Sequence, residues 1–328
     1  MQSGAVMTET NKETVQNMTA TGLRHHGAGD VEAARDAYLK VLELDPRNDH
    51  VLDLAGLLCL ECGEVEAARD LFDAALEIQP ENARYLSHVG TLLLKQGQAS
   101  EAEEKLRRAI EIDDEYPDAQ FFLGLVLRAL GRRKEAIAAV EAALEIEPKN
   151  VLYATWRGTL AWETGDFGGA LEFLENSLQM DQTNLDAMSL LGSVLIDLDD
   201  LTMAERCFRT GLEIVPGDPG LRGKLGDVLV RQGRHKEAKE VFVAALETTQ
   251  EDPELWARFA VHLGSVGDAA AAADAAKRAI ELDGNAINVN LSLLDLHNRT
   301  GDSASAQSIR TKLRDLDTDD ARVLAAIG

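Results

Sequence analysis

Hydrophobic and polar positions along the 328-residue chain recur with a period of 34. With Val15 counted as position 1, apolar residues at positions 4, 7, 8 and 11 share one face of a helix. Those at positions 20, 24 and 27 share one face of another. The pattern predicts a helix pair in each of nine uninterrupted blocks: 15–48, 49–82, 83–116, 117–150, 151–184, 185–218, 219–252, 253–286 and 287–320. One phrase shows the register. "GDVEAARDAYLKVLELDP" (Gly29–Pro46) returns as "GEVEAARDLFDAALEIQP" (Gly63–Pro80).

Small residues hold fixed places for physical reasons. Position 8 is Gly in seven blocks, from Gly22 to Gly226, and position 20 is Ala in all nine, from Ala34 to Ala306. Both are expected where two helices approach closely, and a larger side chain there would overpack the contact by ~1–3 kcal/mol. Position 15 is Gly in eight blocks and Asp199 in the other. It follows the first helix, where a left-handed cap suits glycine. Asp30, Asp166, Asp200, Asp268 and Asp302 come next, as predicted N-caps of second helices. All seven prolines fall at position 32 or position 1, between helix pairs, where a missing amide hydrogen does least harm.

Composition narrows the chemistry. An apolar fraction of 45% is that of a folded chain, and a net charge of −24 repels phosphate backbones and anionic lipid. Nucleic acid and membrane surfaces are therefore not expected as partners. No apolar run is long enough to span a bilayer. The start, "MQSGAVMTETNKET", has neither a basic leader nor an apolar stretch, so residues 1–14 are expected to form a flexible tail rather than a signal peptide. Three cysteines are an odd, sparse set that fits a reducing, cytoplasmic setting. The Cys59–Cys62 C-x-x-C has no second pair or histidine cluster to complete a zinc site, and is read as two small apolar residues near a helix end. Phosphate-loop, hydrolase-elbow and zinc-protease motifs do not occur. No catalytic residue, metal or cofactor is expected.

Block 2 combines Leu52, Ala55, Gly56, Gly63, Ala68, Phe72, Ala75 and Pro80. This set resembles the tetratricopeptide repeat (TPR) family, and the resemblance extends from Val15 to Asp320. It implies an all-α fold: a right-handed α-α superhelical solenoid of about nine TPR helix pairs. "ARVLAAIG" (Ala321–Gly328) continues in phase and is expected to be a short C-terminal capping helix, or else the start of a longer array. Block 9 departs from the pattern, with Leu294 at the glycine position and Arg310 at the aromatic one. A polar residue there suits a terminal repeat with nothing stacked beyond it.

With one face of each first helix committed to packing, positions 2, 5, 9, 12 and 13 share the remaining side at ~100° per residue. In the TPR family that side lines a concave groove. Blocks 3 to 5 place Arg84, Thr91, Lys95, Phe121, Leu125, Arg128 and Trp162 there, together with Ser87, Asp118 and Thr155. Arg84, Lys95 and Arg128 make a basic exception in an acidic protein, and Phe121, Leu125 and Trp162 are expected as exposed apolar anchors. The alternative use of Phe121 and Trp162 is to fill gaps between adjacent first helices.

The expected function is that of a non-catalytic adaptor holding a partner's peptide segment, one with an acidic side chain or a free C-terminal carboxylate. Two alternatives stand beside it. One is a scaffold that self-assembles as a homo-oligomer through its terminal repeats. The other is the recognition region of a larger glycosyl- or sulfotransferase. No block has Asn at position 9, and position 6 reads Ala20, Leu54, His88, Phe122, Trp156, Leu190, Lys224, Arg258 and Ser292, so neither the two-carboxylate clamp of chaperone-binding TPRs nor the asparagine ladder of sugar-transferring ones is expected.

Overall fold

The computed structural model describes residues 9–315 and 321–327, and among these every regular element is a helix. The chain divides between Pro148 and Lys149 into two compact units. The first contains α1 (Glu9–Gly27), α2 (Val31–Leu44), α3 (Asp49–Glu61), α4 (Val65–Ile78), α5 (Ala83–Lys95), α6 (Ala99–Ile112), α7 (Pro117–Ala129) and α8 (Arg133–Ile146). The second begins with α9 (Val151–Glu163), α10 (Phe167–Met180), α11 (Leu185–Asp197), α12 (Leu201–Ile214), α13 (Pro219–Arg231) and α14 (His235–Thr248). It continues with α15 (Pro253–Ser265), α16 (Ala269–Asp283), α17 (Ile287–Thr300), α18 (Ser303–Asp315) and α19 (Ala321–Ile327). Within each unit, successive helices pack as pairs and first helices touch first helices, the α-α solenoid arrangement.

The helix ends follow from the sequence. Asp30, Asp166, Asp200, Asp268 and Asp302 each accept a hydrogen bond from the backbone amide three residues on, so all five are N-caps. First helices use a second set that the periodic reading passed over: Asn48, Asn82, Asn150, Asn184, Asp218 and Asp252, all at position 34, cap in the same way. Between the two helices of a pair the chain turns through the left-handed region. Gly63 has φ 77°, and Asp199 is forced into the same region at φ 61°.

The small residues sit where helices meet. Every Ala at position 20 is buried. A Cβ built on Gly56 would stand 2.6 Å from Phe72 Cε1, so α3 and α4 can meet only because Gly56 has no side chain. At four seams position 21 of one block also bonds position 16 of the next. Arg35 pairs with Glu64 at 2.7 Å and Arg69 donates to Gln98 at 3.2 Å, but Glu103 accepts from Arg132 at 2.7 Å, with the charges exchanged. In the second unit Glu205 and Arg234 repeat the exchanged form at 2.7 Å.

Two expectations change at the ends. Helix α1 starts at Glu9, so residues 9–14 are helical rather than part of a tail, while residues 1–8 lie outside the described residues. Arg310 does not face empty space. Val323 of α19 is buried against Leu294 and Leu313, and Arg310 Nε donates to Ala326 O at 3.4 Å. Arg314 Nη2 donates to Ile327 O at 2.8 Å, so two arginines satisfy carbonyls that would otherwise lack partners at the end of α19.

Candidate partner-binding surface

In the first unit, α3, α5 and α7 lie side by side, and the predicted residues of blocks 3 and 4 are on α5 and α7. Arg84, in the first turn of α5, is partly exposed but not a lone cation. Its Nε lies 3.4 Å from Asp53 Oδ2, and its Nη2 donates to His50 Nδ1 at 3.1 Å. Burial, and then the positive charge of Arg84, hold the His50 pKa below its ordinary value, which matches a neutral ring accepting that bond. Asp53 is 1% exposed, and its other oxygen, Oδ1, accepts from His88 Nδ1 at 2.5 Å. Tyr85 donates to Asp49 Oδ2 at 2.7 Å beneath the Arg84 guanidinium, and burial, reinforced by that bond, pushes its pKa up to about 12. Arg84 is thus a positioned cation whose charge is largely matched by a buried carboxylate.

The other predicted residues separate by position. Lys95 and Arg128 are exposed in the last turns of α5 and α7, where a cation also suits the helix dipole. Thr91 and Leu125 are half-buried, and the Thr91 hydroxyl donates back to Ser87 O at 3.0 Å. Phe121 corrects the expectation. It is 2% exposed, its ring 5.3 Å from that of Phe122, and is a packing residue rather than an exposed anchor. The reason is general to position 5: Asp53, Ser87 and Thr155 are buried too, because this position faces the neighbouring first helix. Trp162 belongs to the second unit. It is half-buried against the core there, and its Nε1 donates to Asp197 Oδ2 at 2.7 Å, linking α9 to α11.

The second unit carries a polar series on its first helices that the sequence reading did not nominate. Lys224 donates to Ser189 Oγ at 2.5 Å, Arg258 to Asp227 Oδ2 at 2.5 Å, and Asn288 to Glu254 Oε1 at 2.6 Å. Each bond joins one first helix to the next. Burial, and then repulsion from Arg258, lower the Lys224 pKa to about 8. Charged residues at position 6 of blocks 7 and 8 were the available signal; elsewhere that position is mostly apolar. Among the described residues, no three metal-ligating side chains cluster, and no helix is long and apolar enough to cross a membrane.

The sequence profile of the tetratricopeptide repeat matches residues 25–89, 93–158, 161–219 and 204–258. The chain belongs to the tetratricopeptide repeat family. No curated protein sequence matches it. Solved TPR-like structures resemble it in fold. The APC/C hetero-tetramer Cut9-Hcn1 aligns with a TM-score of 0.65 at 20% identity, over 82% of this TPR chain and 52% of that one. PilW, a type IV pilus biogenesis factor, gives 0.58 at 16% identity over 66% and 98%. The pilF protein of Pseudomonas aeruginosa gives 0.55 at 21% identity over 65% and 97%.

Proposed function

We propose that this TPR chain is a non-catalytic adaptor that holds a peptide segment of a partner protein along the first helices of its first unit. One observation carries the reading: Lys95 and Arg128 are exposed in the last turns of α5 and α7, with Leu125 half-buried one turn before Arg128. Thr91 lies one turn before Lys95, and the positioned guanidinium of Arg84 stands in the first turn of the same helix. Two exposed cations beside a half-buried leucine suit a peptide with an apolar side chain next to an acidic one or a free C-terminal carboxylate. Cys59, Cys62 and Cys207 are free thiols, which supports a cytoplasmic setting.

Self-assembly through the terminal repeats is the weaker reading. Positions 7 and 11 of block 1 are Thr21 and His25, and His25 Nδ1 lies 3.3 Å from Asp30 Oδ2. The corresponding positions of block 2 are Ala55 and Cys59. At the other end α19 covers Leu294 and Leu313.

The test is selection of binders from a random peptide library with free and amidated C-termini, followed by affinity measurement against Arg128→Glu. Binding should weaken about tenfold or more, on the order of 1.4 kcal/mol, with an unchanged helical circular dichroism spectrum. Unchanged affinity would remove this surface from consideration.

A further inference from the structure

In blocks 2 to 7 position 10 is a core position filled by aliphatic side chains: Leu58, Leu92, Val126, Leu160, Val194 and Val228 are all buried. Block 8 places His262 there, 1% exposed. Its ring stacks on three others, with centroids 5.7 Å from Phe242, 5.9 Å from His235 and 6.2 Å from Phe259. His235 stands at position 17 of the preceding block, the first residue of α14. The Nδ1 atoms of both histidines are buried, and neither has a hydrogen-bond partner among the described residues. A neutral imidazole tolerates this site as a flat ring among flat rings. An imidazolium would place an unpaired charge there.

The charged surroundings offer no compensation. Helices α13, α14, α16 and α17 pack against α15. Of their ionisable groups, those acting on His262 are His235 and Lys239 of α14, and both disfavour its protonation; burial acts in the same sense and is the larger cause. On α15 itself, Arg258 lies one turn before His262 and is already paired with Asp227.

We propose that His262 makes the α14–α15 junction acid-sensitive: protonating its ring forces the aromatic stack apart and, one turn away, disturbs the Arg258–Asp227 contact between α13 and α15. The direction follows from linkage. A histidine kept neutral in the folded state contributes no pH dependence well above its ordinary pKa of 6.5. Below that value the unfolded or opened chain binds a proton that the closed junction does not, so the closed form loses ground by up to about tenfold per pH unit until the folded ring also titrates. This inference is independent of the peptide reading, which concerns α5 and α7.

Two measurements on the full chain test it. Side-chain NMR of the histidines should show His262 taking up its proton below pH 6.5; titration at or above that value would overturn the proposal, whatever any variant does. Hydrogen exchange of α14 and α15 amides, corrected for intrinsic rates, should quicken between pH 7 and pH 5.5, by at most about tenfold. His262→Leu restores an aliphatic residue, as most blocks carry at this position, and should abolish that acceleration. Equal acceleration in the variant and the parent would also overturn the proposal.

Discussion

The ring of Phe72 occupies the space that a side chain on Gly56 would need, with Cε1 2.6 Å from the site of a Cβ. Phe72 is fully buried and has nowhere to retreat. Gly56→Ala should therefore lower stability by about 1–3 kcal/mol in urea unfolding, despite the better helix propensity of alanine. Gly27→Ala, with nothing within 4 Å of its Cβ, should change it by less than about 0.5 kcal/mol.

Asp199 is the only described non-glycine residue with positive φ, at a turn where eight other blocks use glycine. Asp199→Gly should relieve that conformation and raise stability by about 0.5–1 kcal/mol. A lower unfolding midpoint would mean that the aspartate earns its place through a contact that outweighs backbone strain.

Burial changes what Phe121 is expected to do. Phe121→Ala should destabilise the first unit by about 3–5 kcal/mol through the cavity it leaves. Thr91→Ala and Lys95→Ala should leave stability within about 0.5 kcal/mol and act on peptide affinity alone. A Phe121→Ala protein that unfolds at the parent's urea midpoint would contradict this division.

Glu103 is held by Arg107 and Arg132 at 2.8 and 2.7 Å. Burial pushes its pKa up, but the two arginine hydrogen bonds outweigh burial, so the carboxyl titrates below its ordinary 4.5. Its contribution should be complete above that pH and lost as pH falls through the lower native value. A double-mutant cycle with Glu103→Gln and Arg132→Gln should give a coupling of about 0.3–1 kcal/mol that weakens with salt. Coupling that survives full protonation of the carboxylate would show that charge is not its source.

Helix positions, the N-capping aspartates, the left-handed turns and the small residues where helices meet were legible because each repeats in phase, so every block corroborates the others. The groove was less legible. Position 5 lies on the side left over from packing within a helix pair, yet Asp53, Ser87 and Phe121 are buried by the neighbouring first helix. An angle on one helix does not report that second contact. The Arg84–Asp53–His88 arrangement joins residues from adjacent blocks, and a position-by-position comparison does not pair them. The polar series from Ser189 to Asn288 escaped for the same reason.

The exchange of charge between Arg35–Glu64 and Glu103–Arg132 has a bearing on how the modules are ordered. Setting block 4 directly behind block 1 would bring Arg35 against Arg132, and setting block 2 behind block 3 would bring Glu103 against Glu64. Modules with interchangeable backbones therefore carry mismatched keys at these two seams, and a splice or slip that joins block 1 to block 4 or block 3 to block 2 meets repulsion there.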